Sequence, residues 1–209
     1  MLKVRELWEA IKVLLVYPRF TAKFPATGKG PDPAPAPYER FRGKPQYNEE
    51  LCVGCGACAQ VCPSGAITCQ DLTEVGKRKL TIDLGRCIFC GTCERECITG
   101  EGVKLTRDYD TANLDRTGPD AFVSVEKDLA FCERDGAVIT AAAHLTWMAD
   151  KLGAMAYTNP TLAVAAQEGL GLAEQAPKLV GGLQASRGDL YRKLCPSCRR
   201  EVLLREHWV

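Results

Sequence analysis

The chain has no excess of charge of either sign. Its 209 residues carry 27 Lys and Arg against 26 Asp and Glu, a formal net charge of +1. A nucleic-acid partner is normally drawn by a basic excess, so none is expected. Long apolar runs are also missing. Runs such as Val13-Leu14-Leu15-Val16 are far short of the roughly 20 residues that cross a bilayer. No secretory leader is recognisable, which points to a reducing compartment where cysteines stay free of disulfides.

Cysteine is what the chain has in plenty, with 12 residues. Eight fall in two runs of one spacing, Cys52-x2-Cys55-x2-Cys58-x3-Cys62 and Cys87-x2-Cys90-x2-Cys93-x3-Cys97, each member having a counterpart 35 residues on (52→87, 55→90, 58→93, 62→97). This is the ligand pattern for two [4Fe–4S] clusters, and it makes electron transfer the first functional expectation. A C-x2-C-x2-C loop turns helically and points three thiolates into one concavity. The fourth comes from the other run. Cys52, Cys55, Cys58 and Cys97 are therefore expected at one cluster, and Cys87, Cys90, Cys93 and Cys62 at the other. Neither site is complete until both repeats have docked.

Gly54, Gly56, Ala57 and Gly91 are small enough to let backbone N–H groups approach cluster sulfurs and tune their potential. Pro63 follows Cys62 in the usual way, whereas Ile98 follows Cys97, a departure expected to alter local packing without removing a ligand. Two zinc sites would use C-x2-C pairs set further apart. Disulfides would be awkward between cysteines so closely spaced. Cys69 lies outside both runs on an expected strand and reads as a small buried hydrophobe.

The fold class is α+β, with four expected segments: 1–24 an amphipathic docking helix, 25–44 a Pro-rich linker, 45–108 a two-cluster ferredoxin-like domain, and 109–209 a mainly helical C-terminal extension. The ferredoxin-like domain is too small to rest on an apolar core alone, so metal binding and folding should be coupled. Ala66–Cys69 and Lys79–Leu84 read as strands around the Gly76-Lys77-Arg78 turn, with Gly102–Thr106 closing the domain.

Residues 1–17 place Val4, Leu7, Trp8, Ile11, Leu14 and Leu15 on one helical face. Five basic and two acidic side chains in the first 24 residues suit a membrane surface, and a partner subunit or the chain's own domain would equally cover the apolar face. Pro25, Pro31, Pro33, Pro35 and Pro37 form an extended spacer.

In the extension, Thr140–Gly153 reads as an Ala-rich helix, and residues 154–190 show no clear element. Cys195-Pro196-Ser197-Cys198 is a knuckle that supplies half of a tetrahedral metal site. The other half is expected in Cys132-Glu133-Arg134-Asp135, giving a Cys3Asp site for zinc or iron from Cys132, Asp135, Cys195 and Cys198. His144 and His207 compete as fourth ligands, and a degenerate site that binds nothing is the remaining alternative.

The helix ending in Tyr17-Pro18, the segment Phe41-Arg42-Gly43-Lys44-Pro45, the stretch Gly85-Arg86-Cys87-Ile88-Phe89-Cys90-Gly91 and both cysteine runs together resemble a known family. It is the two-cluster ferredoxin-type subunit shared by respiratory complex I and membrane-bound [NiFe] hydrogenases. The formate hydrogenlyase and hydrogenase-4 type adds a C-terminal extension with two C-x2-C pairs, rubredoxin- or zinc-knuckle-like. This chain resembles that type, with Asp135 where the family places a cysteine. The resemblance implies a peripheral-arm subunit on the cytoplasmic face of the inner membrane, without catalytic residues of its own. Its partners would be the hydrogenase small and large subunits, membrane-arm subunits, and an upstream formate dehydrogenase, ferredoxin-type donor or carbon monoxide dehydrogenase. The alternatives are the corresponding subunit of a complex I-like quinone oxidoreductase, a free soluble ferredoxin, and an assembly module with structural clusters.

Overall fold

A computed structural model of the chain describes residues 4–15, 40–109, 111, 115–172 and 191–204. The chain divides into two compact units, Met1–Phe41 and Arg42–Val209. In the first, helix α1 spans Val4–Leu15. Glu6 in its first turn and Lys12 in its last complement the helix dipole. Lys12 Nζ reaches Glu9 at 3.4 Å and sits 6.0 Å from the centre of the Trp8 ring. Val4, Leu7, Trp8, Ile11, Leu14 and Leu15 are all exposed. The expected proline spacer lies outside the described residues, apart from its last positions.

Among its described residues the second unit holds two antiparallel sheets. Strand β1 (Pro45–Tyr47) pairs with β4 (Val103–Leu105), bringing the two ends of the cysteine-rich segment together. Strands β2 (Ile67–Leu72) and β3 (Lys77–Asp83) form the expected hairpin, with Gly76 at φ +73° in the turn, a conformation that Gly adopts without a Cβ penalty. Strand β3 then pairs along its whole length with β5 (Phe122–Phe131), from Lys77↔Asp128 to Asp83↔Phe122. Strand β6 (Val138–Ala141) completes the order β2-β3-β5-β6. The sheet thus runs across the boundary expected near residue 108, and the extension contributes strands as well as helices.

Between the strands of the cysteine-rich segment lie two single-turn helices, α2 (Ala57–Gln60) and α3 (Thr92–Arg95). After β6 come α4 (Ala142–Leu152), a 3-10 segment Gly153–Thr158, α5 (Pro160–Gly169) and α6 (Pro196–Leu204). Helix α4 begins two residues later than expected because Thr140 and Ala141 belong to β6. Asn159 caps α5, its side chain accepting the Thr161 N–H at 3.0 Å, and Pro160 occupies the first helical position.

Among the described residues, three apolar clusters hold this unit. Leu80, Ile82, Leu84, Ile67, Val103 and Val125 pack against Cys52 and Cys58. Burying side chains as fully as Leu80 and Ile82 contributes about 1.5–3 kcal/mol each. Ala130, Leu145, Ala149, Ala156, Leu162 and Ala165 join α4 and α5 to β5. The third cluster consists mostly of thiols: Cys132, Cys195 and Cys198 with Leu194 and Val202. Strand β5 touches the first two clusters and leads into the third.

Candidate metal centres

The duplication seen in the cysteine spacing is repeated in the backbone. Gly54 and Phe89 share a left-handed conformation (φ +68° and +53°), as do Gly56 and Gly91 (+79° and +78°) and Gly65 and Gly100 (+60° and +75°). Left-handed residues among right-handed ones aim successive N–H groups into a concavity that suits an anionic sulfur. The Ala57 N–H lies 3.5 Å from Cys55 Sγ, and the Phe89 N–H 3.4 Å from Cys87 Sγ. Hydroxyls add to the set, with Thr92 at 3.4 Å from Cys90, Thr99 at 3.3 Å from Cys97, Ser64 at 3.7 Å from Cys62 and Tyr47 at 3.6 Å from Cys58.

Two cavities divide the eight thiols. One is lined by Cys52, Cys55, Cys58 and Cys97, and walled by Tyr47, Leu80, Ile98 and Val103. The other is lined by Cys62, Cys87, Cys90 and Cys93, with Pro45, Ile67, Ile82 and Leu105. Three cysteines of each cavity come from one run and the fourth from the other. Cys69 Sγ lies beside the first-run loop, 3.3 Å from where a Cβ on Gly56 would be, but Cys69 is exposed and not the buried residue expected.

Electrostatics bear on whether these residues fit an iron–sulfur cluster. Burial pushes the Cys58 and Cys93 thiols up to about 11. At Cys62 and Cys97 burial acts in the same direction, but neighbouring hydroxyls and backbone N–H groups outweigh it and bring both below the usual thiol value. Buried thiolates therefore need a positive counter-charge in place of their protons, which iron supplies. Burial, followed by the Cys58 sulfur, holds the Tyr47 phenol above its usual value, and its hydroxyl lies 3.6 Å from that sulfur.

A third set converges in the extension. The ligand atoms of Cys132, Asp135, Cys195 and Cys198 all lie within 4.8 Å of one another. Asp135 Oδ2 is 3.3 Å from Cys195 Sγ and 3.1 Å from Cys198 Sγ. A tetrahedral zinc or iron with metal–sulfur bonds of about 2.3 Å separates its ligand atoms by about 3.8 Å, so the set fits such an ion. Two tight turns shape it. Gly136 N–H donates to Cys132 O at 2.9 Å, and Cys198 N–H points at Cys195 Sγ at 3.4 Å. The Cys132 thiol and then the Ala137 N–H hold the Asp135 carboxyl well below the usual carboxylate range. Burial, followed by Asp135, pushes the Cys198 thiol up.

Polar contacts lock the two halves of this set together. Glu133 N–H donates to Lys193 O at 2.9 Å, and Glu133 Oε1 accepts the Lys193 N–H at 3.0 Å. Arg199 Nη2 donates to Arg192 O at 2.6 Å and Thr161 Oγ at 3.0 Å. His144 does not join the four ligands. Its Nδ1 is 3.1 Å from Thr140 Oγ, and it lines a separate groove with Ile139, Met148 and Leu203. His207 lies outside the described residues. Spacing alone singled out the cysteines and Asp135, but not Tyr47, Arg42, Arg78 or Lys127, whose roles depend on tertiary placement.

Thiol sets of this kind on a ferredoxin-like frame define an iron–sulfur protein. Residues 51–100 match the family described as 4Fe-4S dicluster domain. NADH-quinone oxidoreductase subunit I 2 of Geobacter metallireducens is 34% identical over 113 residues, covering 50% of this chain and 83% of that relative. The chain belongs to the NADH-quinone oxidoreductase subunit I family, a family of iron–sulfur electron-transfer subunits. It is also similar to NAD(P)H-quinone oxidoreductase subunit I of Gloeobacter violaceus, 34% identical over 97 residues, 44% of this chain and 46% of the relative. Formate hydrogenlyase subunit 6 of Escherichia coli K12 is 41% identical over 74 residues, 35% of this chain and 41% of the relative. The chain spans less than half the length of these last two. Among the described residues no helix is long and apolar enough to cross a membrane.

Proposed function

We propose that the chain relays electrons through two [4Fe–4S] clusters inside a membrane-associated complex. Cys52, Cys55, Cys58 and Cys97 hold one cluster; Cys87, Cys90, Cys93 and Cys62 hold the other. The observation that carries this reading is the division of eight thiols between two cavities, each taking its fourth member from the opposite run. When bound, the clusters supply one-electron redox chemistry. The chain's own residues hold the thiolates, present N–H and hydroxyl dipoles to the sulfurs, and exclude water with Leu80, Ile82 and Val103. Substrate bonds are made and broken on other subunits. The test is Cys97→Ser, which is expected to perturb the EPR signal of the first-run cluster. A change confined to the second-run cluster would refute the crossing.

The extension favours a hydrogenase complex of the formate hydrogenlyase type, in which Cys132, Asp135, Cys195 and Cys198 hold one zinc or iron that staples α6 to the end of β5. Helix α1 (the docking element of segment 1–24) would bind the complex or membrane on its cytoplasmic face, tethered by the 25–44 linker to the ferredoxin-like domain. Partners in this reading are the hydrogenase small and large subunits, membrane-arm subunits, and an upstream formate dehydrogenase or ferredoxin-type donor. The second reading, a complex I-like quinone oxidoreductase, is favoured by the 83% of the Geobacter metallireducens subunit that the chain covers. Neighbouring genes distinguish the two: an adjacent [NiFe] large subunit supports the first, and a NADH-binding module the second.

A further inference from the structure

The two cysteine runs are alike in sequence but not in surroundings. A Cβ on Gly54 would lie 3.0 Å from Ala141 Cβ and 3.1 Å from Lys127 Cβ, so β5 and β6 press directly on the first-run loop. The equivalent place in the second run carries the bulk of Phe89, and its neighbour Ile88 is 61% exposed.

Arg78 stands at the covered contact, its side chain only 13% exposed. Nε and Nη2 donate to the two oxygens of Asp71 at 2.6 and 3.0 Å, and Nη1 donates to Gly54 O at 3.1 Å and Thr140 Oγ at 3.3 Å. One guanidinium therefore ties β2, the first-run loop and β6 together, a task for five donors in a fixed fork that a lysine ammonium cannot match. Beside it, Lys127 Nζ donates to the Glu49 carbonyl at the start of the same loop. At the second run the comparable cation is Arg42, which donates to Cys90 O at 3.1 Å and comes from ahead of β1, not from the C-terminal segment.

We propose that Arg78 is a positioning residue through which the C-terminal segment sets the geometry and reduction potential of the first-run iron–sulfur site, without acting on the second. The inference rests on the two-cluster reading. The guanidinium, its charge partly offset by Asp71, turns its Nη1 donor to the loop and favours the more negative, reduced state of the site. Its hydrogen bond to Gly54 O also polarises the peptide whose N–H belongs to Cys55. Together these effects raise the potential of one site relative to the other, although the two cysteine runs are alike in spacing.

The experiment is an EPR-monitored potentiometric titration of the full-length, anaerobically prepared protein and its Arg78→Gln, Arg78→Lys and Lys127→Met variants, with Cys55→Ser, inside the first run whatever the crossing, assigning the first-run signal. Arg78→Gln is expected to move the first-run midpoint to more negative values and change its line shape, leaving the second-run signal in place. Arg78→Lys should recover part of the potential but not the line shape. Movement of both signals together, or of neither, overturns the proposal. If Arg78→Gln loses iron, Lys127→Met supplies the same reading, since Lys127 approaches the loop independently of Asp71. Wild-type iron content, measured on the same samples, tests the two-cluster reading separately.

Discussion

Gly54→Ala probes the contact between the C-terminal segment and the first-run loop. Gly54 sits at φ +68°, where an L side chain costs about 1–2 kcal/mol. Its new Cβ would also meet Ala141 Cβ at 3.0 Å and Lys127 at 3.1 Å. The lysine stem can swing aside, but Ala141 is fixed to the backbone of β6, so overpacking adds about 1–3 kcal/mol. Gly65→Ala is the control, because Gly65 has φ +60° and nothing within 4 Å. It pays the backbone cost alone. Iron–sulfur proteins lose cofactor when they unfold, so the assay is the rate of bleaching at about 400 nm in guanidinium, under anaerobic conditions. The 1–3 kcal/mol difference predicts that Gly54→Ala bleaches about 5–150 times faster than Gly65→Ala if the contact breaks before the transition state. Ala141→Gly should restore much of the loss in the double variant. Equal rates for the two alanine variants, with no coupling to position 141, would refute the packing argument.

Other outcomes follow from other parts of the molecule. Asp135→Ala should weaken metal retention in the extension by at least about tenfold in a chelator competition on the full-length protein, while Asp135→Cys should keep the ion. Unchanged retention by the alanine variant would remove Asp135 from the ligand set. Burial, followed by the Arg78 cation, holds the His144 imidazole below its usual 6.5. As pH falls through 6.5 the unfolded chain takes up a proton that the folded imidazole resists, so wild type should lose stability relative to His144→Gln below that pH and run parallel to it above. A constant difference in bleaching rate between pH 7 and about 5.5 contradicts that linkage. Trp8→Glu places a charge on the exposed apolar face of α1 and should reduce co-sedimentation with membranes or the parent complex; unchanged sedimentation removes the docking role.

Elements with a strong local signature were legible in the chain. The helix read over residues 1–17 corresponds to α1 at Val4–Leu15, and the hairpin and closing strand correspond to β2, β3 and β4 within a few residues. The cysteine spacing is local and needs no packing to be read, and the fold divides those cysteines between two cavities. What stayed hidden depends on distant partners. Strand β1 is three residues long, too short for any period to register. Strand β5 alternates Val123, Val125 and Leu129 with Ser124, Glu126 and Asp128, but its role as partner to β3 is set by register across the boundary expected near residue 108. Helix α5 carries a start signal in Asn159-Pro160, which the glycines of residues 154–190 dilute. Arg78 read as a turn residue because only the folded sheet brings Asp71, Gly54 and Thr140 within its reach.

Iron and acid-labile sulfide, counted in anaerobically purified full-length protein alongside EPR of the reduced state, test the paired-cluster assignment most directly. About eight irons and eight sulfides per chain, with two cluster signals, are the expected result. Saturation at about four irons, or zinc in place of iron at Cys52 through Cys97, would contradict it.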